Sequence, residues 1–144
     1  MEVPPPQYLS VTYYEPVVKA IEAHFGKYKY VPRVVIMPDL YKMYGALGET
    51  QFVKRTDGQP VIINIDADVW HNKPQLGIET LVHELLEWRF IEKGEKYTHF
   101  LSERYTPMIL SEVLQASTLQ GQTISLLDTL LIRFPLLRRI LLGK

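Results

Sequence analysis

Apolar residues recur at Val17, Val18, Ile21 and Phe25, the three-and-four spacing of one helix face, so Glu15 to Phe25 reads as an amphipathic helix. Pro16 suits its first turn and Gly26 its end. The pattern then shortens. Val34-Val35-Ile36-Met37 is an apolar run bracketed by prolines, and the strand-like runs Gln51 to Arg55 and Val61 to Ile65 flank the turn signal Thr56-Asp57-Gly58. Three strands are predicted, the last two as a β-hairpin. Asp39 to Ala46 reads as a short helix or an irregular loop, with Gly45 and Gly48 marking it as turn-prone. Asp66 to Gly77, rich in Asp, Asn, Pro and Gly, predicts a loop in which Trp70 packs onto the next helix and His71 lies beside it.

The helical signal returns with Ile78, Leu81, Val82, Leu85 and Arg89 on one stripe and Leu86 beside it. Gly94 supplies an αL cap, and Tyr97-Thr98-His99 opens a second helix that runs back antiparallel to the first. Ile109, Val113, Leu114 and Leu119 predict a further helix over Met108 to Leu119, which Pro107 kinks or separates from the His99 segment. From Ile124 to Leu142 the chain is dense in leucine, divided by Pro135 and carrying Arg133, Arg138 and Arg139. Core or oligomer packing is favoured there over a membrane-surface element, since a small domain needs the apolar area. The fold class predicted is α+β. A small antiparallel sheet of about three strands packs on helices in one domain, 1–144, with its core over about 15–120 and a helical tail over 123–142.

Candidate chemistry falls on the helix that follows the hairpin, in His83-Glu84-Leu85-Leu86-Glu87. A His and a Glu four residues apart project from the same helix face, close enough to share one small ion. Glu84 stands beside that pair, placed to take a proton from water, so the string reads as metal-assisted hydrolysis. A turn at Gly94 brings His99 back to the level of His83 and Glu87, and Glu103 follows one turn later as ligand or as the group that orients His99. The candidate metal ligands are therefore His83, Glu87, His99 and Glu103, with Glu84 as general base and Tyr97 or Tyr105 as a donor to an oxyanion. A competing reading needs no metal. His83 would then be held by Glu79 and Glu87, one turn away on either side, at roughly a few tenths of a kcal/mol per pair. His24, far from the string, reads as a structural or surface histidine.

The string is a variant of H-E-x-x-H, with Glu87 where the second His would stand. With the preceding strands, Gly94 and His99, it resembles the minimal core of the zincin metallopeptidases over roughly Arg33 to Glu103, about half the chain. It is also similar to short hydrolases carried by phages and other mobile elements. The resemblance implies His83 and Glu87 as zinc ligands, Glu84 as general base, and a peptide or protein substrate laid along the preceding strand by β-augmentation. No Met-turn residue and no compact H-x-x-G-x-x-H is present, so the subfamily stays open. Glutamate in place of the second histidine favours an alternative, a catalytically inactive interaction or dimerisation module built on the Leu-rich tail.

Composition narrows this further. With 144 residues and 47% hydrophobic content the chain suits one core. Sixteen basic residues balance sixteen acidic ones, so net charge calls for neither nucleic acid nor an anionic membrane. A nucleic-acid surface from Lys27, Lys29 and Arg33 with Tyr28 and Tyr30 is the weakest reading, because no binding motif accompanies it. The absence of cysteine excludes disulfides, thiolate ligands and cysteine nucleophiles, leaving His and carboxylates to bind any metal. Met1-Glu2-Val3-Pro4-Pro5-Pro6 lacks the features of a secretory signal and no run is long enough to span a membrane, so a cytoplasmic protein is expected.

Overall fold

In the computed structural model the described residues are 5–52 and 61–120. The turn Thr56-Asp57-Gly58 and the Leu-rich segment 123–142 lie outside them. The elements run β1 (Gln7–Tyr8), α1 (Val11–Phe25), β2 (Arg33–Met37), α2 (Leu40–Tyr44), β3 (Gly48–Phe52), β4 (Val61–Asp66), α3 (Ala67–Asn72), α4 (Pro74–Glu92) and α5 (Thr98–Gln120). The fold is α+β, as the sequence predicts. Its sheet differs from the prediction in two respects.

Four strands are present among the described residues, in the order β1-β2-β4-β3, and the sheet is mixed rather than antiparallel. Strand β4 pairs antiparallel with β3, Gly48 opposite Ile65, as the predicted hairpin requires. It pairs parallel with β2, however, Val35 opposite Asn64, and the two-residue β1 adds antiparallel on the far side of β2. The physical reason lies in burial. Val34, Val35 and Ile36 are buried in succession, as are Ile63, Asn64, Ile65 and Asp66, so these central strands are covered on both faces. Continuous burial of this kind marks strands covered on both faces, as parallel pairs are, whereas one-faced antiparallel strands alternate.

Alternate residues Val34, Ile36, Val61, Ile63 and Ile65 meet α1, α4 and α5 in one core. Helix α1 presents Tyr14, Val17, Val18 and Ile21 to it and ends at Gly26, whose φ is 86°. It begins at Val11, one turn earlier than predicted, and so takes Pro16 into its interior. His24 at its end is exposed and pairs with Glu112 of α5 at 2.7 Å, a surface role.

The predicted loop over Asp66 to Gly77 is mostly helical. Asp66 ends β4 and caps α3, its Oδ2 accepting from Val69 N–H at 3.0 Å, while Oδ1 accepts from Tyr41 N–H at the start of α2. Such a capping aspartate also reads as a turn residue, which is why the sequence suggests a loop. Trp70 is buried and packs on α4 through Gly77, where an added Cβ would stand 3.1 Å from Trp70 Cα. Helix α5 also departs from expectation, running through Pro107 without a break. The N–H that proline lacks would have reached the Glu103 carbonyl. Pro107 and Glu103 both border an open cleft.

The last turns of α4 clamp the α1–β2 connection. Glu92 accepts the backbone N–H groups of Lys29 and Tyr30 at 3.0 and 2.8 Å, Arg89 donates to the carbonyls of Phe25 and Gly26, and Trp88 donates to that of Tyr30. Tyr28, buried inside this clamp, donates its hydroxyl to the Leu85 carbonyl at 2.7 Å. Tyr28 therefore belongs to the core and not to an exposed aromatic surface between Lys27 and Lys29. No helix among the described residues is long and apolar enough to cross a membrane.

Burial, helped by the nearby Glu92 and Glu22 carboxylates and opposed by Arg89, pushes the Tyr28 hydroxyl well above its ordinary 10.0. Stability that depends on neutral Tyr28 is thus complete below about pH 10 and is lost as pH rises past it, because the unfolded chain ionises first. Tyr28→Phe is expected to cost about 0.5–1.5 kcal/mol at neutral pH through the lost hydrogen bond. Denaturant titrations should also show the variant losing less stability than the parent above pH 10.

Candidate metal centre

Ten buried positions around most of its circumference make α4 a core helix, and its remaining stripe faces solvent. That stripe carries Leu76, Glu79, His83 and Glu87, each three or four residues from the next, with buried Thr80 at its edge. A Schellman-type end returns the chain, with Gly94 at φ 74° and Glu95 N–H bonded to the Phe90 carbonyl at 3.0 Å. Helix α5 then packs back along α4. Its Ser102 is buried and donates a short hydrogen bond to the His83 carbonyl, which fixes the register of the two helices at the site.

That register brings three of the predicted residues together. His83 Nε2 lies 3.2 Å from His99 Nδ1 and 3.4 Å from Glu87 Oε2, and His99 Nδ1 lies 3.3 Å from the same Glu87 oxygen. Two imidazole nitrogens and one carboxylate oxygen thus form a nearly equilateral triangle, a donor set able to hold one cation. Glu103 is not part of it. Its Oε1 instead meets the other nitrogen of His99, Nε2, at 3.1 Å, the orienting one of its two predicted roles.

Glu84, next to His83 on α4, is buried on the side facing the sheet and lines the same cleft. Thr50 of β3 donates its hydroxyl to Glu84 Oε2 at 2.8 Å, so the edge strand sets the carboxylate's orientation. Burial raises the affinity of Glu84 for a proton, with Glu87 adding to the effect and Thr50, His83 and His99 opposing it. The hydrogen bond from His83 holds Glu87 below its ordinary range against the opposing effect of burial, with both histidines adding charge. The same bond raises His83, against desolvation, with the carboxylates of Glu84, Glu87 and Glu103 contributing.

A cleft of about 530 Å³ opens over the site, bounded by α4, α5 and the approach to β3. His83, Glu84, His99 and Glu103 line it, as do Glu79, Thr80 and Gly48. Tyr97 and Tyr105 do not. Tyr97 is 81% exposed, and the Tyr105 ring packs between Phe25 and Phe90 toward α1, so neither reaches the cleft as predicted. Thr50, Gly48 and Ser102 are contributions that local sequence reading misses, because each acts through a partner brought near by tertiary pairing.

Comparison with protein-family models, with curated proteins and with solved structures finds no match to this chain.

Gly48 lets β3 approach α4, since a methyl group there would stand 2.6 Å from Thr80 Cγ2 and 3.2 Å from Glu84 Cγ. Gly48→Ala should therefore cost about 1–3 kcal/mol by overpacking, read as a lower denaturation midpoint. Unchanged stability would show that β3 and α4 are not in fixed contact beside Glu84.

Proposed function

We propose that this protein is a zinc-dependent hydrolase acting on peptide bonds, with His83, Glu87 and His99 as metal ligands and Glu84 as general base. The observation that carries the reading is the donor triangle, with edges of 3.2, 3.3 and 3.4 Å. Zinc bonds of about 2.0–2.1 Å at tetrahedral angles require ligand atoms about 3.3–3.4 Å apart, which is the spacing found. Two imidazoles and one carboxylate, with the cleft above them, also match the ligand chemistry of a catalytic zinc site with one open position. When bound, such an ion supplies a Lewis acid that polarises a carbonyl and acidifies water.

The chain's own groups divide the remaining work. Glu103, as a carboxylate, can only accept, and in the tautomer with its proton on Nε2 toward Glu103, His99 turns the lone pair of Nδ1 to the triangle. Thr50 occupies one oxygen of Glu84 and leaves the other to take a proton from water and return it to a leaving amine. Burial makes that carboxylate more basic, which suits the role. Strand β3 is paired only with β4 among the described residues, so its outer edge beside the cleft can receive an extended peptide.

A second reading, a non-catalytic interaction module, is favoured by exposed Tyr41, Met43 and Tyr44 on α2, at 57, 68 and 68%. Metal content separates the two. Protein purified without a histidine tag should carry about one zinc per chain, lost in His83→Ala and His99→Ala. No metal after zinc is added back would leave the interaction module. Glu84→Gln should keep its zinc and lose cleavage of a fluorogenic casein by about 10²–10⁴-fold. Loss of metal in that variant would make Glu84 a ligand and not a base.

The positioning role of Glu103 gives a separate expectation. Glu103→Gln should weaken zinc affinity about 10–100-fold, measured by competition with a chromophoric chelator, while leaving the fold intact. Undiminished affinity would show that His99 needs no such support.

A further inference from the structure

The cleft is larger than an ion and a carbonyl group require. Its volume of about 530 Å³ falls within the range of sites that enclose a sizeable ligand group. His83 and His99 mark one end. From there α4 runs back to Leu76 and α5 runs on to Leu110, so the cleft follows two antiparallel helices. Its far wall is formed by Leu76, Pro107 and Leu110 with Leu47 from the approach to β3. The three leucines are only half-buried, although each faces the interior of a cavity.

Between the two ends the floor is Thr80 and Thr106. Thr80 donates its hydroxyl proton to the Leu76 carbonyl and Thr106 donates to that of Ser102, both at 2.7 Å. Their protons are committed to their own helices, so the floor beyond Glu84 donates no hydroxyl hydrogen bond to a ligand. Among the described residues no Lys or Arg lines the cleft, whereas Glu79, Glu84 and Glu103 do. An acidic side chain would meet repulsion there without a partner, and a polar one would leave its water behind without a donor. A large apolar side chain gains by covering the leucines.

We propose that the Leu47, Leu76, Pro107 and Leu110 end of the cleft is a specificity subsite that receives a large apolar side chain, such as Leu, Met or Phe, of a peptide substrate. This inference rests on the hydrolase reading. Seven residues separate Leu76 from His83 on α4, a distance of about 10 Å at 1.5 Å per residue. An extended peptide covers that span in about three residues, so the recognised side chain sits two or three positions from the bond at His83.

The test uses the full chain with its leucine methyl groups ¹³C-labelled, both zinc-free and zinc-loaded, titrated with acetyl-Gly-Gly-Leu-amide, acetyl-Gly-Gly-Phe-amide and acetyl-Gly-Gly-Asp-amide. Leu76 and Leu110 methyl signals should shift saturably with the first two peptides, and the Asp peptide should bind about tenfold more weakly or worse. Leu110→Ala should reduce the preference for Leu over Asp, and Leu76→Ala provides the same reading if the first variant does not fold. Equal affinity for the Leu and Asp peptides, or shifts confined to the fully buried Leu81 and Leu85, would overturn the subsite. Selective binding by protein that takes up no zinc would support the subsite and sink the hydrolase, whereas zinc uptake with no selectivity would do the reverse.

Discussion

Everything at the site depends on α4 being buried on most of its circumference. Ile78, Leu81, Val82, Leu85 and Leu86 are at most 2% exposed, and Trp88 and Phe90 close the same core. A helix surrounded in this way by the sheet, α1 and α5 cannot rotate to present a different stripe without exposing several of these side chains, each worth about 1.5–3 kcal/mol of burial. The face left over is the one bearing His83 and Glu87. Core packing thus sets the direction of the proposed ligand pair, and the clamp from Glu92, Arg89 and Trp88 onto residues 25–30 fixes the helix along its axis.

The other two site components are brought to α4 by separate means. His99 arrives through a turn whose geometry requires Gly94, followed by the bond from Ser102 to the His83 carbonyl. That bond ties the level of α5 directly to the residue it must face. Glu84 is met from the sheet side by Thr50, and Gly48 is the residue whose missing side chain permits the approach. The sheet therefore does more than support the helices, since its edge strand orients the group proposed as base. Parallel pairing with β2 buries β4 in the middle of the sheet and leaves β3 on the outside, next to the cleft.

What could be read from sequence follows from the range of the interactions involved. The periodic faces of α1 and α4, the hairpin, the Gly94 turn and the grouping of His83, Glu87 and His99 all depend on neighbours within about twenty residues, and the sequence predicts each of them. Parallel pairing of β2 with β4 depends on residues about thirty apart, and only the apolar runs Val34 to Ile36 and Val61 to Ile63 point to it. Strand β1 carries two exposed residues and offers no pattern. Helix α3 was hidden by its own cap, because Asp66 is equally a turn residue until its partners at Val69 and Tyr41 are known. Pro107 misled for a related reason. Its penalty depends on whether the deprived carbonyl is buried, and here that carbonyl belongs to a residue on the cleft.

The triangle itself poses a charge problem that bears on both functional readings. In the tautomer with its proton on Nε2 toward Glu103, His99 presents the lone pair of Nδ1 to a Glu87 oxygen that is also an acceptor, 3.3 Å away. His83 Nε2 stands 3.2 Å from the same Nδ1, and only one of that pair can supply a proton between them. Without protons the three atoms are acceptors, which repel at this distance unless positive charge lies among them. Protons can provide it, and the upward pull on His83 reflects that demand. A dication satisfies all three atoms at once and requires no second proton on His99. The proposed metal site would use that arrangement, with the core of α4 and the Ser102 bond supplying the rigidity to hold it.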